Sequence, residues 1–143
     1  MKNCFDIAQD VRSLINVPEV LSDLDGGNIY PHYRPQGSSR IDVVIGVLGA
    51  DNEYIQNANV NIRIHAPNLH LYLTNPPGAD NTQPNLVKLF RICELITPLL
   101  DEQYRDTFNT SVASSGEMFQ DADGTWFCLI QVEYFSIQDK STP

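Results

Sequence analysis

Between residues 58 and 66 the chain alternates without a break. Ala58, Val60, Ile62, Ile64 and Ala66 are apolar, and Asn59, Asn61, Arg63 and His65 between them are polar. Successive side chains of a strand point to opposite faces, so this run is a strand with one face in a core and the other turned away from it. A half-buried strand of this kind belongs to an antiparallel sheet. The sequence supplies neighbours for it. Residues 41–48, Ile-Asp-Val-Val-Ile-Gly-Val-Leu, are β-branched and mostly apolar and read as a well-buried strand, with Asp51-Asn52-Glu53 as the turn between the two. Two further strands, 108–119 and 125–137, are joined at Asp121-Ala122-Asp123-Gly124, where Asp-Gly is a strong hairpin signal. In the last strand Trp126, Cys128, Ile130, Val132 and Tyr134 share one face and Phe127, Leu129 and Phe135 the other, which predicts a central strand covered on both sides.

Two amphipathic helices are expected to close this sheet. Cys4, Ile7, Ala8, Val11, Leu14 and Ile15 recur at steps of three and four behind Asn3, a good N-cap. Val17-Pro18 ends that helix or starts a short second turn, and Asp25-Gly26-Gly27-Asn28 reverses the chain. The main helix is expected from Pro84, with Leu86, Leu89, Phe90, Cys93, Ile96, Thr97 and Leu100 on one face and Pro98 kinking or loosening its last turn. Residues 29–35 hold two prolines and fit only an edge or irregular strand. Residues 67–83, with Pro76-Pro77-Gly78 at their centre, read as a long irregular connection. The expected class is therefore α+β, a mainly antiparallel β-sheet with an N-terminal helix and one long helix packed on it, in a single domain, 1–143, whose residues 138–143 fray.

Chemistry is harder to find. With 9 Lys+Arg against 18 Asp+Glu the net charge is −9, which argues against a grip on nucleic acid phosphates. Cys4, Cys93 and Cys128 form no CxxC pair and read as buried packing residues of a reducing compartment. No apolar run is long enough for a membrane span, and the N-terminus has none of signal-peptide length. His65 and His70 lack metal-ligand spacing and read as surface histidines. Asp121 to Gly124 lacks the acidic twelfth position of a calcium loop, which is Val132. No catalytic residue, metal or cofactor is expected, and the chain reads as a non-enzyme. The residues that do suggest a function are of interface type: Tyr33, Arg34 and Arg40 before the first strong strand, and Leu69, Leu71 and Tyr72 in the long connection. The competing reading is that half of them are simply core.

A resemblance adds a direction. Asp10-Val11-Arg12-Ser13-Leu14-Ile15, then Gly26-Gly27-Asn28-Ile29-Tyr30-Pro31, then Arg34-Pro35-Gln36-Gly37, and the helix ending Glu94-Leu95-Ile96-Thr97-Pro98-Leu99-Leu100 resemble the tail terminator, or tail-completion and head–tail joining, proteins of long-tailed bacteriophages and prophages. The resemblance covers most of the chain. It implies a structural protein without catalysis, a homo-oligomeric ring, hexameric in the family, that caps the tail tube and joins it to the head connector. The partners so implied are further copies of the chain, the tail tube protein and the head connector protein, with no sequence-specific nucleic acid binding and no membrane. The location implied is the virion neck, assembled in the bacterial host cytoplasm. Arg40-Ile41-Asp42 departs from the family, which often has a proline and an aromatic there. Two other readings stand beside it: another neck or minor tail component, and a small soluble binding or hydrolytic domain with a pocket between the long helix and the sheet, near His65 or His70.

Overall fold

The structure is a computed structural model that describes residues 2–50 and 55–137. Its elements are helices α1 (Cys4–Ile15) and α2 (Pro18–Leu21), a 3-10 turn (Ser22–Leu24), strands β1 (Ile29–Pro31), β2 (Asp42–Leu48), β3 (Ile55–Ala66), β4 (Leu71–Thr74) and β5 (Pro77–Asp80), helix α3 (Leu86–Leu100), and strands β6 (Gln103–Tyr104), β7 (Phe108–Gln120) and β8 (Trp126–Ile137). Six strands form one sheet in the order β1-β2-β3-β8-β7-β6, and β4 and β5 form a separate two-stranded sheet. The expected turn at residues 51–53 and the expected frayed tail, 138–143, lie outside the described residues.

The alternating run determines the layering. Val60, Ile62 and Ile64 meet Val43, Ile45, Ile130 and Val132 on one face, where α1 contributes Ile7, Ala8, Val11 and Ile15 and α3 contributes Leu89, Ile92, Ile96 and Leu100. Burying an aliphatic side chain of this size stabilises the fold by roughly 1.5–3 kcal/mol. Both helices lie on this face. The other face has no helix, so β8 is central but covered on both sides only in part: Leu129 is buried and Phe127 half-buried, whereas Gln131, Glu133 and Phe135 are exposed.

The sheet is mixed. β2, β3, β8, β7 and β6 are antiparallel neighbours, but β1 runs parallel to β2, with Ile29 opposite Val43 and Pro31 opposite Ile45. A parallel pair needs a crossover rather than a tight turn, and residues 32–41 provide it. Just before β1, a Cβ on Gly27 would fall 1.6 Å from the carbonyl oxygen of Ile41, the last residue of this crossing, so only glycine fits. Residues 67–83, expected to be irregular, hold the β4–β5 hairpin, with a cis Asn75–Pro76 peptide at its tip.

Helix α3 begins two residues later than Pro84 because the Asn85 side chain takes the N-cap, accepting from the Lys88 N–H at 3.3 Å. Its buried stripe includes Ile92 and leaves Leu86 and Phe90 exposed, which corrects the expected face. The helix continues through Pro98. Its last carbonyls find other donors, the Leu100 oxygen accepting from Thr110 Oγ1 at 2.7 Å and the Pro98 oxygen from Gln103 Nε2 at 3.1 Å. Helix α1 has a full capping box between Asn3 and Asp6. It is tied to β8 by Asp10, which accepts from the Tyr134 hydroxyl at 2.5 Å and pairs with Lys2 at 2.6 Å. Burial and the Asp10 carboxylate together push the Tyr134 hydroxyl well above its usual range, so it stays protonated.

Candidate protein interface

The β4–β5 hairpin is an arm. Every residue of β4 is exposed, and Tyr72 shows 76% of its surface. Leu69, Leu71 and Leu73 are exposed beside it, so apolar side chains point out from both faces of a two-stranded ribbon. A hairpin of two strands is marginal by itself, and this one is fixed at its root. Asn68 Nδ2 donates to the Asn81 and Gly124 carbonyls, both at 2.9 Å, the Leu69 N–H donates to the Gln83 carbonyl at 2.9 Å, and Trp126 Nε1 donates to the Thr82 carbonyl at 3.1 Å. On the return strand Asp80 accepts from the backbone and hydroxyl of Thr82, at 2.8 and 2.6 Å, which holds its carboxyl below the usual carboxylate range. Asp80 is the one charged residue between positions 67 and 83. The arm is thus an apolar, nearly neutral projection from a chain of net charge −9.

Beside the arm's root lies a cavity of about 380 Å³, lined by Arg34, Asn68, His70, Thr82, Gln120 and Asp123 among others. It does not lie between α3 and the sheet, where side chains pack without exposure. Behind Arg34 the helix-free face of the sheet carries a buried charge cluster. Asp42, fully buried, stands directly across from His65 in the β2–β3 register. Arg34 reaches Asp42 at 3.5 Å and Asp123 at 3.8 Å, and His65 Nδ1 lies 3.9 Å from Asp121. Among the described residues neither oxygen of Asp42 nor His65 Nδ1 has a hydrogen-bond partner. The His65 pKa is lowered to about 4, by burial first and then by Arg34 and Arg63, against the opposing pull of Asp121 and Asp123. The ring is neutral at physiological pH, and it packs 5.1 Å from the Phe127 ring, centroid to centroid.

The six interface residues read from the sequence separate into three environments. Leu69, Leu71 and Tyr72 belong to the arm. Tyr33 projects freely from the crossover, while Arg40 is exposed with its guanidinium donating to the Gly26 carbonyl at 3.0 Å. Arg34 is no exposed contact residue: it is mostly buried and spends its charge on Asp42 and Asp123. Arg34 and His70 meet at the cavity, so the crossover and the arm's root are neighbours. His65 is buried, not a surface histidine, because the crossover places Arg34 near that end of the bare face. Asp42 passes unnoticed in sequence; its signal is a carboxylate interrupting the apolar run 41–48. Cys93 and Cys128 are buried as expected and Cys4 only partly. The Cys93 thiol is lowered to about 6, chiefly by the neighbouring Cys128 thiol, with the Thr97 and Ser115 hydroxyls adding to the effect. Among the described residues no three His, Cys, Asp or Glu side chains converge as a metal site, and no helix is long and apolar enough to cross a membrane. No protein-family model matches the chain, and no similar protein was found among curated ones.

Proposed function

We propose that the chain is a structural subunit of a long-tailed bacteriophage or prophage, copies of which close into a ring, a hexamer, that caps the finished tail tube and joins it to the head connector. It acts by fit rather than by catalysis, in the virion neck after assembly in the bacterial cytoplasm. The observation that carries this reading is the arm: an apolar ribbon with Tyr72 at 76% exposure, rigidly rooted and unpacked against its own body. Exposed apolar groups gathered on a projection mark a protein interaction site. The motifs shared with tail terminators indicate which assembly. An acidic subunit also suits a passage through which DNA must slide without sticking. Negative-stain imaging of purified tail tubes incubated with the protein is expected to show density on one end of each tube and no further growth from it. Tubes that keep both ends bare would overturn the reading.

The cavity favours a second reading, a small binding domain whose ligand meets Arg34, His70 and Asp123. In that case a monomer would suffice, and the arm would have no part in binding.

A further inference from the structure

The two sheets leave complementary edges open. At one end of the main sheet β1 is three residues long, ends in Pro31, and turns away at His32, whose φ is +70°. At the other end β6 covers only Asn109 and Thr110 of β7. Among the described residues no strand pairs with the outer side of β7 beyond that point, and β7 runs on to Gln120. Its irregularities, between Val112 and Ser114 and between Ser115 and Glu117, blunt the first part of this edge. From Glu117 to Gln120 the pairing with β8 is regular, so four residues of straight edge remain. The arm shows the converse. β5 starts with Pro77, which has no N–H to give, whereas β4 is Leu-Tyr-Leu-Thr, free of proline and with the strand formers Tyr72 and Thr74, and its outer edge is also unpaired among the described residues.

We propose that β4 of one copy adds as a strand to the Glu117–Gln120 edge of β7 in the next copy. The occupant is a second copy of this chain for three reasons on the molecule itself. The two edges match in length, both being four residues. β4 carries no charge, so a chain of net charge −9 offers its neutral segment to an edge whose one charged residue is Glu117. The side chains also continue each other: Phe119 is exposed and starts a row, Phe119 to Phe127 at 5.7 Å and Phe127 to His65 at 5.1 Å, that an apolar residue of the arm extends by one strand. Because the two edges differ, the contact is heterologous and propagates around a ring. Backbone hydrogen bonds give affinity and the Phe119 row fixes the register. This rests on the ring reading above and names the surface that builds it.

Site-directed cross-linking tests the contact. In a Cys4→Ser background, Tyr72→Cys and Phe119→Cys are made as separate proteins, mixed and exposed to copper-phenanthroline. Cross-linked dimer is expected in the mixture and in neither protein alone, and not when Tyr72→Cys is mixed with Phe135→Cys on the open face. Since Phe119 takes part in a ring stack, Glu117→Cys serves as a second partner at an exposed position. Oligomers by light scattering with no cross-link at either edge position would overturn this contact while leaving the ring. A protein monomeric at every concentration would overturn the ring and this contact with it.

Discussion

His65 shows how one buried side chain couples the fold to solution conditions. Its ring faces Asp42 across the strand pair, Asp121 from the β7–β8 turn, Arg34 from the crossover and Phe127 from β8, with Arg63 and Asp123 adding to its field. Its folded pKa, about 4, is below the unfolded value of 6.5, so the unfolded chain takes up the proton first as pH falls. Stability is therefore full above pH 6.5 and declines between pH 6.5 and about 4, by up to about 3 kcal/mol from this residue. Urea midpoints measured across that range are expected to fall for the parent protein and to fall less for His65→Gln. Equal slopes for the two would remove His65 from the explanation. The sequence places this histidine on the polar face of an alternating strand, which is correct, yet the polar face at that end is sealed by an arginine from a segment 31 positions earlier in the chain. Periodicity reports the direction of a side chain, not what a distant loop lays over it.

At the scale of elements, strands and helices were legible where a single period runs long enough. The β3 alternation, the α1 stripe and the Asp-Gly hairpin between β7 and β8 follow from local sequence alone. What local sequence does not carry is pairing. The parallel β1–β2 pair depends on a crossover of irregular sequence, and the β4–β5 arm is hidden because a proline at its tip and another opening β5 look like breakers when read singly. The coverage of β8 also depends on which face both helices choose, a property of the packed molecule. The arm itself gives a direct expectation. Tyr72 touches solvent on the isolated subunit, so Tyr72→Ala is expected to leave thermal stability within about 0.5 kcal/mol of the parent. If the ring is held through the arm, the same change raises the dissociation constant of the oligomer by about tenfold or more, as loss of an aromatic hot spot does. Sedimentation over a dilution series reads both species. A lowered melting point with unchanged association would show that the arm stabilises the subunit and not the assembly.

At the scale of the whole molecule, three features support the proposed role as a building block. One face of the sheet carries both helices and buries the core, the opposite face is sealed at the Asp42–His65 end and open at Gln131, Glu133 and Phe135, and the acidic charge sits on a body whose projecting arm is nearly neutral. A single core of this size stabilises the chain, and the proposed repeated contact would cover the apolar ribbon, which is otherwise a liability in solution. The buried Arg34, Asp42 and His65 cluster holds the crossover in place next to the arm's root, so the arm projects from a stiff base. The measurement closest to the central claim is the mass of the purified protein by multi-angle light scattering at neutral pH. The account predicts a closed oligomer near six times the 16.1 kDa chain, stable on dilution and of one size. A single species of one chain mass, unchanged as concentration rises, would contradict it.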